Sequence, residues 1–180
     1  MSRILAIDSG STQSAYLVYD TDAPLVFQGA CQSFDILENQ ALCRAISMSL
    51  PACALASADV LVLEQIEHYG SGMPVGKNIF DTCIWMGRFL QAWGRPSRLM
   101  PRREAKMHLC RSARGNDATV RAALMDSFGA DPVGTKKRPG VLYGIHKDLW
   151  SALALAVTYA DHAEGRCGTC GWEEKGNVQT

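Results

Sequence analysis

The sequence predicts an α/β fold, a five-stranded mixed sheet flanked by helices. Three observations carry this expectation: strand-like segments follow one another directly at the N-terminus, a continuously apolar strand comes after a first helix, and helical periodicity dominates the C-terminal half. The chain has 180 residues, 47% apolar and 20% charged, which suits one domain with a substantial core.

Arg3 to Asp8 reads as a buried strand ending in a carboxylate, and Ser9-Gly10-Ser11-Thr12 is a turn by composition. Ser14 to Asp20 and Pro24 to Phe34 are the next two strands and complete an antiparallel meander. Glu38 to Leu50 has helical spacing through Leu42, Ala45, Ile46 and Ser49, and Pro51 stops it. Asp59 to Ile66 is an apolar run with the acid Glu64 near its end; burial on both faces is the mark of a central parallel strand. Tyr69 to Asn78 is a Gly-rich loop, Ile79 to Trp93 a helix, and Ser97 to Met100 a short strand. Two helices follow, over Arg102 to Arg111 and Asn116 to Phe128, the second capped by Asn116. Residues 129–144 are rich in glycine and proline and read as a loop centred on Lys136-Lys137-Arg138. The closing helix runs from about His146 to Ala163, with Leu149, Ala152, Leu153, Ala156 and Val157 on one face. Residues 1–165 thus form one domain and 166–180 a polar tail. This order of elements resembles the ribonuclease H-like arrangement.

The formal net charge of zero hides an uneven distribution. Residues 1–94 carry 4 basic and 9 acidic side chains, residues 95–138 carry 11 and 4, and residues 139–180 carry 3 and 5. The middle block is therefore strongly basic, as a face meeting nucleic acid would be, although basic residues also simply solvate exposed helices. No apolar run approaches the roughly 20 residues of a membrane span. Met1-Ser2-Arg3 leads straight into a strand without a signal-peptide pattern, so a cytoplasmic protein is expected. Cys31, Cys43, Cys53, Cys83 and Cys110 stand singly in apolar stretches and are expected to be reduced core thiols. Cys167 and Cys170 would make half of a zinc site, with no second pair in the chain to complete it.

Asp8 ends the first strand, Glu64 lies near the end of the fourth, and Asp148 opens the final helix. If the first and fourth strands are parallel neighbours, both acids emerge at one sheet edge and the helix start adds the third. Three convergent carboxylates suit Mg²⁺, which prefers oxygen ligands. Two such ions about 4 Å apart activate a water and stabilise the leaving oxygen of a phosphodiester. Asp8-Ser-Gly-Ser-Thr is also similar to the phosphate-binding turn of sugar kinases and actin-like ATPases, but those need a second comparable domain that this length does not supply.

Four segments together resemble the RuvC-type Holliday-junction resolvases: Arg-Ile-Leu-Ala-Ile-Asp8-Ser-Gly-Ser, Leu-Val-Leu-Glu64-Gln-Ile, the basic helix around Pro101-Arg-Arg-Glu-Ala-Lys106, and Leu142-Tyr-Gly-Ile-His-Lys-Asp148-Leu-Trp-Ser-Ala-Leu. The branch common in bacteriophages and prophages carries segments similar to Tyr69-Gly-Ser-Gly-Met-Pro-Val-Gly-Lys77, Phe80 to Phe89 and Gly134 to Gly144. The resemblance spans roughly residues 3–160. It implies a ribonuclease H-like fold, a homodimer in the cytoplasm, of a bacterial host if phage-encoded, and Mg²⁺-dependent cutting of branched DNA with Mn²⁺ as a substitute. Better-known members place two acids three residues apart at the start of the last helix; here Asp148 is followed at that spacing by Ser151, leaving Glu67 and Asp117 as candidates for a fourth carboxylate.

Lys106 lies one turn past Arg102 and Arg103, and Arg111, Arg114 and Arg121 follow; such residues contact phosphates without reading sequence. Lys77, Lys136, Lys137 and Arg138 sit in loops where cations can follow a bent backbone. Tyr69 either wedges against an unstacked base or caps the sheet. His146 and His68 are close enough in sequence to the acids to position water or a leaving oxygen. Phe80, Trp85, Phe89 and Trp93 recur at helical spacing and divide between core and dimer surface. The expected function is metal-dependent resolution of four-way or otherwise branched DNA. The alternatives are a related nuclease selecting flaps, forks or RNA–DNA hybrids, and a branched-DNA-binding protein without cleavage.

Overall fold

A computed structural model describes residues 2–22, 25–26, 33–48, 54–67 and 76–166. Strand β1 (Arg3–Asp8) runs antiparallel to β2 (Gln13–Asp20), pairing Ile7 with Tyr16 and Asp8 with Ala15. Gly10 sits in the turn between them because a Cβ there would stand 2.2 Å from the Gln13 carbonyl oxygen. β3 (Leu25–Val26) and β4 (Phe34–Glu38) both pair with β2, at Asp20 to Tyr19 and at Leu17 to Gln13 respectively, so they are two parts of one edge strand. The single strand expected over Pro24 to Phe34 is thus displaced: its described parts are 25–26 and 34–38, and residues 23–24 and 27–32 lie outside the described residues. The extension to Glu38 has a local cause. Buried Asn39 donates from Nδ2 to the Gly10 carbonyl at 2.9 Å and accepts from Ser14 Oγ at 2.6 Å, fixing the strand end to the β1–β2 turn.

Helix α1 (Asn39–Met48) leads to β5 (Val60–Gln65), which lies parallel between β1 and β6 (Ser97–Pro101). The sheet has five positions, in the order β3/β4, β2, β1, β5, β6. Its centre is apolar on both faces, as the unbroken runs Ile4–Ile7 and Val60–Leu63 required. Because side chains alternate, Leu5, Ile7, Leu61 and Leu63 pack with Leu42 and Ile46 of α1 and with Phe89 and Trp93 of α2 (Lys77–Trp93). Ile4, Ala6, Val60 and Val62 pack on the other face against α4 (Asp117–Ser127) and α5 (Leu149–Ala163), beside α3 (Arg102–Cys110). Helix α5 is buried nearly all round, from Leu149 to Ala160, and is the central pillar of that layer.

Three boundaries differ from expectation. The closing helix starts at Leu149 and not at His146, because Lys147 adopts a left-handed conformation with φ 48° that interrupts the ladder. Within the expected loop 129–144, β7 (Gly134–Thr135) and β8 (Arg138–Pro139) form a small hairpin that turns at Lys136 and Lys137, with Gly134 at φ 64° close against the Arg138 carbonyl oxygen. Cys43 and Cys110 are free but only half-buried and Cys83 is exposed, so the described cysteines are not core thiols; Cys31, Cys53, Cys167 and Cys170 lie outside the described residues. On α2, Phe89 and Trp93 are core, Phe80 and Ile84 are 59% and 58% exposed, and half-buried Trp85 packs on the α1 side. The Asn116 cap of α4 stands as expected, its side chain accepting from Thr119 N at 2.9 Å. No helix among the described residues is long and apolar enough to cross a membrane.

Candidate active site

The parallel register Ile7 to Leu63 places Asp8 beside Glu64 on neighbouring strands. Alternation then sends both side chains toward the α5 face, since Ile4, Ala6 and Val60, Val62 already point there. They open into a cavity of about 600 Å³ whose polar wall is Asp8, Glu64, Arg102, Lys106, Asp117, Arg121, His146, Lys147, Asp148 and Ser151. Ile145, Trp150, Val120 and Leu155 form much of its apolar wall. Asp148 reaches the rim because the left-handed Lys147 turns the chain just before α5, and its carboxylate makes no capping hydrogen bond to the helix.

Electrostatics mark Asp8 as the centre. Burial pushes its carboxyl up, the neighbouring Glu64 and the more distant Asp148 push in the same direction, and Arg102 opposes them; the outcome is a pKa of about 8. In that state Asp8 carries the proton and donates it to Glu64. Arg102 Nη1 lies 3.6 Å from Glu64 Oε1, while its Nη2 donates to Asp117 Oδ1 at 2.6 Å. Helix α3, which carries Arg102 and Lys106, is clamped against α5 and β6 by His108 Nε2 to Asp161 Oδ2 at 2.7 Å and by Arg98 to Glu104 at 3.3 Å. These contacts fix the basic side of the cavity relative to the acidic one.

The structure brings together Asp8, Glu64, Asp148, Arg102, Lys106, Asp117, His146 and Ser151 from the expected set. Glu67 does not line the cavity, so of the two candidates for a fourth carboxylate only Asp117 is present, and it is engaged with Arg102. Among the described residues no three His, Cys, Asp or Glu side chains stand close enough to enclose a metal ion; Asp8 and Glu64 form a pair, and Asp148 lines the same cavity. Arg103, Arg111 and Arg114 are exposed outside the cavity, Lys136, Lys137 and Arg138 are exposed on the β7–β8 hairpin, and Lys77 pairs with Asp81 on the surface. Tyr69 and His68 lie outside the described residues. His146 is exposed, with Nδ1 2.8 Å from the Gly144 carbonyl oxygen. Two lining residues were not anticipated: Lys147, whose adjacency to Asp148 was the available signal, and Trp150, covered by the Arg121 guanidinium at 4.9 Å.

No family model matches the chain, and no curated protein does. Among solved structures, the fold is similar to that of Thermus thermophilus RuvC, with a TM-score of 0.61 and 16% identity, over 92% of this chain and 97% of that one. It is also similar to T. thermophilus RuvC in complex with Holliday junction substrate, with a TM-score of 0.58 and 16% identity, over 92% of this chain and 96% of that one. At such identity the likeness is one of fold: the chain has the RuvC-like form of the ribonuclease H-like arrangement, a five-position mixed sheet flanked by helices.

Proposed function

We propose that this chain is a divalent-metal-dependent endonuclease that cuts four-way or otherwise branched DNA as a homodimer, of the bacteriophage and prophage branch that its motifs resemble. The observation that carries this reading is the Asp8–Glu64 pair on parallel neighbouring strands, in a cavity lined also by Asp148, Lys106, Arg121 and Lys147. Two carboxylates set so close that one retains its proton, with only the loose Arg102 contact to offset their charge, are a donor set that Mg²⁺ or Mn²⁺ fits by charge and by oxygen chemistry. Asp8 and Glu64 would hold the ion, with Asp148 reaching in from the rim. When bound, such an ion supplies Lewis-acid activation of the phosphodiester and of a water.

The chain's own residues do the rest. Lys106, Lys147 and Arg121 line the same cavity as the acids and can hold a DNA phosphate at its mouth. Because a carbonyl oxygen only accepts, His146 Nδ1 must donate to Gly144, which leaves Nε2 as the proton acceptor when the ring is neutral. His146 is therefore suited to orient a water or receive its proton. Ile79, Phe80 and Ile84 on the outer face of α2 supply apolar surface for a second copy.

A branched-DNA-binding protein without cleavage is favoured instead by Ser151, which stands where an acid is expected, and by the lack of three ligands within reach of one ion among the described residues. A synthetic four-way junction separates the two. Paired nicks that require Mg²⁺ and vanish in Asp8→Asn, with junction binding retained, support the nuclease. Tight binding with the junction left intact supports the binding protein. A panel of flaps, forks and RNA–DNA hybrids ranks the substrates.

A further inference from the structure

One guanidinium in the site bridges carboxylates from different parts of the fold. Arg102 Nη1 stands 3.6 Å from Glu64 Oε1 near the end of β5, and Nη2 stands 2.6 Å from Asp117 Oδ1 at the start of α4. The first distance is a loose ion pair and the second a full charge-assisted hydrogen bond, so the firmer hold is on the Asp117 side. The Glu64 side chain is 17% exposed and that of Asp117 is 77% exposed, with Arg102 between them at 40%. Arg102 keeps its charge throughout: burial works against it, but the hydrogen bond to Asp117 and the fields of Glu64, Asp117 and Asp8 outweigh that and raise its pKa. Only its position is free to change.

We propose that Arg102 and Asp117 form a latch on the metal site: Arg102 is the counter-ion of Glu64 while no metal is bound, and Asp117, which already holds its other nitrogen, retains the guanidinium when a divalent ion displaces it from Glu64. This rests on the metal-dependent reading above. A divalent cation and a guanidinium repel one another at the same carboxylate, so the ion can settle only if Arg102 gives way. A guanidinium turned away with no partner would resist displacement, since a half-buried charge without a counter-ion is unfavourable. Asp117 removes that resistance. It is a positioning residue that acts on the site through Arg102, and Arg102 is a built-in competitor that sets the metal concentration at which the site fills.

The test is Mn²⁺ affinity of the full chain without DNA, read by electron paramagnetic resonance of the free ion. Wild type, Arg102→Gln, Asp117→Asn and the double variant are compared, with Asp8→Asn as the control for the site. The latch predicts that Arg102→Gln tightens Mn²⁺ binding about threefold or more and that Asp117→Asn weakens it by a similar factor. It further predicts that the double variant matches Arg102→Gln, because Asp117 has no effect once the arginine is gone. An Asp117→Asn loss of equal size with and without Arg102 makes Asp117 one more negative charge near the ion and overturns the latch. No tightening in Arg102→Gln overturns it as well. In both cases the metal site stands if Asp8→Asn abolishes Mn²⁺ binding, whereas absence of binding in wild type and every variant refutes the metal-dependent reading and the latch with it. Should Arg102→Gln not fold, Arg102→Lys replaces it: one ammonium cannot hold both carboxylates through separate nitrogens, so the effect of Asp117→Asn must shrink in that background.

Discussion

Asp8→Asn should make the metal-free protein more stable, and by an amount that grows with pH. The Asp8 carboxyl is raised from 3.8 to about 8 by burial first and then by Glu64 and Asp148. Below about pH 4 folded and unfolded chains both carry this proton, and the residue is neutral in its effect on stability. As pH rises the unfolded chain releases the proton while the folded chain retains it, so stability is lost progressively up to about pH 8 and stays lost above it. At about 1.4 kcal/mol per pKa unit, the full shift sets a ceiling of about 5–6 kcal/mol. Arg102 can move closer to the pair and water enters an open cavity, so the realised part is smaller, about 2 kcal/mol. Asparagine needs no proton and can still donate to Glu64. For a chain of this size the gain amounts to about 4–8 °C in Tm. Thermal melts of both proteins with chelator, from pH 4.5 to 9, should show the two curves diverging with pH. Added Mg²⁺ should raise wild type and leave Asp8→Asn nearly unmoved. A gap independent of pH, or a variant less stable throughout, would refute the reasoning.

Other expectations concern cleavage, DNA and assembly. Glu64→Gln and Asp148→Asn should each reduce junction nicking at least about a hundredfold while leaving junction affinity within a few fold; a normal rate in either removes that carboxylate from the site. Lys106→Ala should lower the salt dependence of junction affinity by about one phosphate contact, and neutralising Lys136, Lys137 and Arg138 by up to about three. Unchanged slopes would mean that these residues face away from DNA. Phe80→Glu and Ile84→Glu alter exposed positions on α2, so both should fold normally yet shift the protein toward monomer in light scattering. A dimer that withstands both changes places its interface elsewhere.

Much of this site was legible because acids ended apolar runs. Asp8 and Glu64 each follow four fully buried strand residues, and the unbroken apolar character of Val60 to Leu63 identified β5 as a central parallel strand, which is what sets the two carboxylates side by side. Asp148 was legible as the acid preceding a helical repeat. The Arg102–Asp117 contact was not, because it joins residues fifteen apart and depends on how the α3–α4 connection closes, including a left-handed Arg111 that composition does not announce. The left-handed Lys147 hid the true start of α5 for the same reason: local periodicity carries no sign of a single residue with positive φ. Helix α2 is apolar on two sides, and periodicity locates such faces without saying which one meets α1.

Whether Asp8, Glu64 and Asp148 together form a metal centre can be read from the anomalous scattering of a crystal soaked in Mn²⁺. A peak is expected between Asp8 and Glu64, with Asp148 drawn in as a ligand and Arg102 moved off Glu64. A crystal at saturating Mn²⁺ with no peak at the Asp8–Glu64 pair, or with Mn²⁺ held only elsewhere on the chain, would contradict it.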